Sequence, residues 1–569
     1  LLLLIRCGMV KVLREHHRLV FYTTWLLINV IQGGFTELFD DEAYYWIYSL
    51  FPAWGYFDHP PMVALLIKAG YAIFPNELGV RFFIILLNTA TIFITSQLID
   101  KKNDLLFYAI AVSIGIAHLG GMIAVPDVPL LFFTASFFWL YRRLLAKPNA
   151  VNAVLLGINM ACMLYSKYHG ILIIAFTLLS NRKLFQHYPV YLAGAVTTLL
   201  FLPHLYWQYQ HDWPSVYFHL FERNASHYDI NYTLEYLLGQ IAIAGPVAGW
   251  LLIWAAWRYK PVTDLERALK FTMIGFYGVF LVSTIKGRVE ANWTVPAFIP
   301  LMVICHQYLK QNERFRKWLY CSVPFTLLIA AGLRIYMLAN VSPSPRLSKD
   351  EMHGNKVWTH SLRQEAGDAP IVFLNTYQRA SKYWFYTKDT AFSLNTPYYR
   401  RNNFNLWPLE DSLLGKPAFL AIPETADYFR NFFRKKKWNY PRSSHVTNYF
   451  SFSRVFFNKI KVKKLPTGKV EITARVTTPP HYLRYFQQSP YSHTPVWVAL
   501  YEDGDVKEML HAGITVQEIV SECQDIRFTL PVVPQNPEPG TYTARLCVGT
   551  YLPGYPSVNS SGFRLELSK

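Results

Sequence analysis

The sequence predicts a polytopic α-helical membrane domain of about eleven spans, followed by a soluble extracytoplasmic α/β unit and a β-sandwich. Three observations carry this expectation. Of 569 residues, 52% are hydrophobic and 17% aromatic, too apolar over too long a part for a soluble enzyme, and most of that excess precedes residue 340. Apolar segments long enough to cross a hydrocarbon layer of ~30 Å follow one another through that part. From about residue 447, short alternating strands are separated by turn residues. The expected domains are therefore residues 1–340 in the membrane, 347–446 as the α/β unit and 447–569 as the sandwich, with the proline-rich VSPSPR at 341–346 as linker.

The apolar segments centre on residues 19–35, 79–99, 104–123, 128–145, 150–165, 169–181, 189–207, 237–257, 269–285, 293–309 and 319–339. The fifth and sixth are short enough to form one broken or re-entrant pair. If every segment crosses, Arg14, Arg18, Lys101, Lys102, Arg142, Arg143, Lys147, Arg182, Lys183, Arg258, Lys260, Lys310, Arg314, Arg316 and Lys317 all fall on one side. The positive-inside rule makes that side cytoplasmic, so the N-terminus is expected there and the C-terminal domains outside. The net charge of +18 then reflects topology rather than nucleic-acid binding. Residues 1–8 precede Met9 in the manner of an upstream translation or a truncated gene model, and 19–35 reads as a retained span rather than a cleaved signal.

After the first span, residues 36–61 read TELFDDEAYYWIYSLFPAWGYFDHPP. The acidic cluster Glu37, Asp40, Asp41 and Glu42 is separated from a second acid–imidazole pair, Asp58 and His59, by a run of aromatic residues. Aromatic residues with a few charges at the end of a span form an interfacial helix, and Asp40 or Asp41 as its N-cap is the bland reading. The loop holds more ionisable groups than capping needs, which points to function.

Farther along, the same side of the membrane receives Asp127 in VPDVP, a helix N-cap or a substrate ligand, and Lys167 in SKYHG, which either snorkels or binds an anion. In the 208–236 loop, His219, Arg223 and His227 recur every fourth residue and would line one side of a helix. That side is either a solvated face or a cationic stripe against lipid phosphate. Lys286, Arg288, Glu290 and Asn292 occupy another outer turn before Trp293. Basic residues there run against the topology signal and favour an anion. All these candidates fall on one face, although none of them set the topology.

DDEAYYW followed by GYFDHPPM resembles the first extracytoplasmic loop of the family 39-like glycosyltransferases of GT-C fold, relatives of the protein O-mannosyltransferases and of the lipid A aminoarabinose transferase. The resemblance extends over roughly residues 15–340 and does not specify sugar or acceptor. It implies a multi-pass enzyme of the bacterial inner membrane. Such an enzyme moves a sugar from a polyprenyl-phosphate donor to a lipid, glycan or protein acceptor on the extracytoplasmic side, with inversion at the anomeric carbon. Asp41 and Glu42 match the family's essential pair; Asp41 is expected as the base, with Glu42 orienting it or the acceptor. Lys167 matches the lysine that meets the lipid-linked phosphate, with Arg223, Lys286 and Arg288 in support. Asp58, His59, Asp127, Tyr168, His219 and Asn292 are expected to bind substrate.

Some relatives place an acidic residue near a divalent metal ion where Asp58 and His59 stand, but two neighbouring side chains cannot close a metal site alone. No other cofactor is expected. Two rival functions leave parts of the pattern unused. A lipid-linked-sugar flippase would carry charges in mid-span and internal repeats. A membrane-anchored carbohydrate-binding protein would have no need of the acids of the opening loop.

Beyond the spans, residues 370–423 alternate IVFLN, YQRASKYWFY and FLAIP, the pattern of a small α/β unit. The later strands, among them KVEITARVTT, VWVALYE and TYTARLCVG, fit an Ig-like or jelly-roll sandwich. Cys523 and Cys547 are symmetric about residue 535 in a turn-rich stretch, so a hairpin would bring them face to face. They would be disulfide-bonded in an oxidising compartment or left as buried thiols.

Overall fold

A computed structural model describes residues 15–222, 227–339, 351–422, 444–466, 469–530, 540–550 and 555–567. The chain divides into two compact units: Leu1–His211 with His227–His353, and Asp212–Ser226 with Gly354–Lys569.

The first unit is helical. Its α-helices of ten or more residues are α1 (His17–Phe35), α2 (Asp40–Leu50), α3 (Met62–Ile73), α4 (Glu77–Gln97), α5 (Asp104–Ser113), α6 (Asp127–Ala146), α7 (Ala150–Ser166), α8 (Gly170–Ser180), α9 (Tyr188–Gln210), α10 (Ile230–Ala244), α11 (Gly249–Arg258), α12 (Asp264–Ser283), α13 (Phe298–Gln311) and α14 (Glu313–Leu338). Among the described residues, five helices are long and apolar enough to cross a membrane, and seven if the bent pairs α1–α2 and α10–α11 each count as one span. The expected eleven is thus larger than the number that qualify by length and composition. Segments 104–123, 150–165 and 169–181 form only shorter helices, and 237–257 turns by 94° at Gly245–Ala248. Hydropathy registers apolar length but not a bend. It also passed over α3, a short apolar helix after the opening loop.

Local chemistry sets the helix starts. Asn76, Asn103 and Asn149 each accept a hydrogen bond from a backbone N–H of the first turn, and Thr263 with Glu266 forms a capping box. The turn from α3 into α4 depends on two glycines: a Cβ on Gly70 would lie 2.2 Å from the Gly79 carbonyl oxygen, and one on Gly79 1.7 Å from that of Phe74. Backbones approach this closely only where side chains are absent. This contact sets the start of α4, and with it Arg81.

The second unit contains α15 (Asn355–Ala366), β1 (Ile371–Leu374), α16 (Tyr377–Thr387), β2 (Ala391–Leu394), β3 (Ala418–Ala421) and β4 (Ser444–Val446), whose strands form a mixed sheet in the order β2-β1-β3-β4. β1 pairs in parallel with β2 and β3 and is buried throughout, as a central strand covered on both faces must be. Then follow β5 (Phe456–Lys464), β6 (Val470–Thr477), β7 (Pro495–Glu502), β8 (Asp505–Thr515), β9 (Cys523–Thr529), β10 (Gly540–Val548), β11 (Ser557–Val558) and β12 (Phe563–Leu567). They build two antiparallel sheets, β5-β6-β9 and β11-β10-β7-β8 with β12 also on β10, around a core including Phe452, Ile472, Tyr482, Val498 and Leu546.

The proposed facing of Cys523 and Cys547 is overturned. β9 and β10 belong to different sheets, Cys523 is paired with Thr477 and Cys547 with Trp497, and both thiols are free. Position symmetry assumes a hairpin, whereas a sandwich also joins consecutive strands across its two layers.

Candidate active site

The opening loop is held by one buried carboxylate. Glu42 and Arg81 form an ion pair with both side chains at 0% exposure. Glu42 Oε1 accepts from Arg81 Nε at 2.8 Å and from the Ala124 N–H at 2.8 Å; Oε2 accepts from the Phe39 N–H at 3.0 Å and from Arg81 Nη2. Arg81 donates its remaining N–H groups to the carbonyls of Gly33, Thr36 and Glu37. Every donor of the guanidinium has an acceptor, which is what permits a charge of this size to be buried.

This clamp bears on two expectations. The Glu42 carboxylate is occupied by four hydrogen bonds within the protein, which fix the start of α2. Neither Asp40 nor Asp41 is the N-cap: that position is Phe39, and Glu42 reaches back to its N–H. Asp41 is thereby left on the first turn of α2 with its side chain exposed. Sequence reading passed over Arg81, whose signal was a lone arginine in the apolar run GVRFFIILL.

Asp58 is buried, and its Oδ2 accepts from the hydroxyls of Tyr44 at 3.3 Å and Tyr48 at 3.2 Å. His59 lies edge-on to Tyr45 with ring centroids 5.5 Å apart. Tyr48 stacks on Tyr56, whose hydroxyl donates to the Tyr48 carbonyl at 2.9 Å; burial raises this phenol well above its ordinary pKa and keeps it a neutral donor. The aromatic residues of the loop thus form its own small core. Among the described residues, no group of three or more His, Cys, Asp or Glu side chains is placed to hold a metal ion. The donors around Asp58 and His59 do not fit one.

Three of the other candidates come together. Lys167, at the end of α7, places Nζ 2.8 Å from Asp127 Oδ1, and Asn292 Nδ2 lies 3.4 Å from Asp127 Oδ2. Asp127 and Lys167 are 6% and 7% exposed, so the lysine is buried in an ion pair rather than snorkelling. Asp127 occupies the first turn of α6 and uses its carboxylate for this pair, with Pro126 in the N-cap position. Three residues before it, Ala124 is bound by Glu42, so a single carboxylate anchors both the catalytic candidate's helix and the approach to Asp127.

The loop is tied down a second time through His204. Its Nδ1 lies 2.7 Å from the Trp54 carbonyl and its Nε2 3.0 Å from the Tyr168 hydroxyl, which also accepts from Gln208 Nε2 at 3.0 Å. A Cβ on Gly55 would lie 2.5 Å from the Trp207 ring, so glycine lets the loop pack on α9. His204 was not among the expected residues, although a histidine after a proline in FLPHLYW, inside an apolar segment, was its visible mark.

The remaining candidates stay outside this cluster. Lys286 and Arg288 are exposed, and Arg288 Nε pairs with Glu235 Oε2 at 3.2 Å. His219 lies in a π-helical turn, Phe218–Glu222, in the segment that belongs to the second unit, so it does not continue an α-helical stripe towards His227. Arg223 lies outside the described residues.

The family model for dolichyl-phosphate-mannose-protein mannosyltransferase matches residues 58–207, which include Asp58, His59, Asp127, Lys167, Tyr168 and His204. A lipid A galacturonosyltransferase of Rhizobium johnstonii is 25% identical over 317 residues, 52% of this chain and 66% of its own length. The crystal structure of ArnT from Cupriavidus metallidurans bound to undecaprenyl phosphate superposes with a TM-score of 0.54 at 13% identity, covering 74% of this chain and 94% of that one. The apo structure gives 0.55 at 12% identity, over 76% and 98%. At such identities the superpositions speak for the fold alone. The family-model match, the curated relative and the shared fold together make the chain similar to membrane glycosyltransferases of the GT-C fold, among them the protein O-mannosyltransferases and the lipid A sugar transferases.

Proposed function

We propose that the protein transfers a sugar from a polyprenyl phosphate to an acceptor hydroxyl or phosphate of an envelope lipid, on the extracytoplasmic side of a bacterial inner membrane. The observation that carries the reading is the exposed carboxylate of Asp41 on a helix start locked by the buried Glu42–Arg81 pair. A base that must take a proton needs access, and it needs a fixed position. Asp41 accepts the acceptor's proton as the acceptor oxygen attacks the anomeric carbon. The bond from that carbon to the phosphate oxygen breaks, the configuration inverts, and polyprenyl phosphate leaves with the electron pair.

The growing charge on the leaving phosphate calls for cations. Lys167 is the first choice, exchanging part of its interaction with Asp127 for the phosphate, while the exposed Lys286 and Arg288 attract the anionic headgroup. Beside the opening loop, an apolar cavity of about 390 Å³, lined by Trp54, Tyr56, Met62, Leu65, Lys68 and Tyr165, suits isoprenoid carbons. The lipid acceptor and the use of a polyprenyl carrier are supported by the names of the relative and the bound neighbour.

The test uses purified protein in nanodiscs, radiolabelled polyprenyl-phosphate sugars and envelope lipid extract. Label is expected in the acceptor lipid. Asp41→Asn should lower turnover per folded protein by about a hundredfold or more, with Asp40→Asn close to the parent. Normal turnover in both variants would remove the opening loop from the chemistry. Intact donor crossing the bilayer without transfer would replace the enzyme by a flippase.

A further inference from the structure

A second site lies wholly in the second unit. A cleft of about 830 Å³ opens beside the β7–β8 turn and strands β10 and β12, and the 397–400 loop and residues of the 212–222 segment complete its walls. Its volume lies within the range of cavities that enclose ligands of drug size, with room for about two or three sugar rings. Six aromatic residues line it: Tyr217, Tyr398, Tyr399, Tyr501, Tyr542 and Phe563. Arg400, Arg545 and Arg564 stand with Glu222 and Asp503 in its lining, and Arg564 Nη2 also donates to Glu566 Oε1 at 2.8 Å.

The walls are preorganised. The Arg545 guanidinium lies 5.0 Å from the centroid of the Tyr501 ring and 3.3 Å from the Glu222 carboxylate, and Tyr501 donates to the Pro397 carbonyl at 2.6 Å. Arg400 sits over Phe218 at 5.0 Å and Tyr377 at 4.8 Å. Arg545 Nε is buried without a hydrogen-bond partner. A buried guanidinium donor left open in this way costs free energy that a bound oxygen recovers.

We infer that this cleft binds an anionic saccharide, a glycan carrying carboxylate or phosphate. Flat aromatic rings match the C–H faces of a sugar, tyrosine and threonine hydroxyls meet its hydroxyl groups, and planar guanidinium groups pair with a carboxylate or phosphate in two-pronged fashion. The inference does not rest on sugar transfer and concerns recognition, separate from the chemistry of the opening loop.

The test is binding to the full chain in nanodiscs, carrying Asp41→Asn so that turnover does not enter, read by saturation-transfer NMR and calorimetry. The probes are trigalacturonic acid for the carboxylate source, glucose 1-phosphate for the phosphate source and maltotriose as the neutral control. One anionic probe is expected to bind with a Kd below about 10 mM, and the stronger of the two identifies the source. Arg400→Ala should weaken it about tenfold. Arg564→Ala, at an exposed position where folding is not at stake, should weaken it several-fold. The inference is overturned if neither anionic probe binds, if maltotriose binds as well as the stronger anionic probe, or if both variants bind like the parent.

Discussion

At the scale of single residues, two adjacent acids divide the work. Glu42 spends its full hydrogen-bonding capacity inside the protein and Asp41 is exposed, so in the proposed reaction one fixes the position and the other takes the proton. The same distinction governs Lys167. Its ion pair with Asp127 is buried on both sides, so Lys167→Ala strands a carboxylate beside Asn292 at a cost of about 3–5 kcal/mol. The variant is expected to lose thermal stability in detergent, and a fall in its activity is therefore not evidence of a role in donor binding. Lys167→Met with Asp127→Asn removes both charges and should restore most of the stability. Donor turnover in that double variant decides the matter: a parental rate would make the lysine purely structural.

At the scale of elements, the opening loop is rigid because it is anchored at both ends, to α4 and the 124–127 turn by Glu42 and to α9 by His204. His204→Ala releases the second anchor. Proteolysis between residues 50 and 61 should accelerate and turnover should fall about tenfold, with His204→Gln, which keeps a donor and an acceptor, recovering part of both. In the second unit a comparable anchor is pH-sensitive. Glu410 accepts from the Ser453 N–H at 2.9 Å, the Ser453 hydroxyl at 2.7 Å and the Tyr482 hydroxyl at 2.8 Å, pinning the turn after the α/β sheet to the sandwich. Burial raises its pKa from 4.5 to about 7, against the pull of those hydrogen bonds. The folded state therefore holds a proton that the unfolded chain releases. This contribution is fully present below about pH 4.5 and is lost as pH rises through about 7. The melting temperature of this unit should decline across that window, and Glu410→Gln should flatten the decline.

At the scale of the whole molecule, the membrane unit and the second unit each have their own core, and the charge pattern of the first predicts that the second is extracytoplasmic. The two unpaired cysteines of the sandwich report on this. Cys523 is exposed; Cys547 is buried, and burial raises its thiol to about 12. A membrane-impermeant maleimide applied to intact spheroplasts should label the protein at Cys523, and Cys523→Ser should abolish that label. Protection of Cys523 until the membrane is permeabilised would reverse the orientation.

The sequence by itself determined what composition and local spacing can encode: a helical membrane part, a β-rich end, the acidic opening loop and its likeness to one glycosyltransferase class. Hydrophobic length and loop charge act locally, so they are visible without a fold. Only the tertiary structure decided which acid is buried and which is exposed, because Glu42 meets Arg81 across 39 residues and Lys167 meets Asp127 across 40. It also decided that the 237–257 segment turns by 94° partway along, and that Cys523 and Cys547 stand in different sheets. Partner choice depends on which surfaces the packing brings together. A carboxylate in a one-dimensional string carries no mark of whether it will be neutralised in the interior or left at the surface to react.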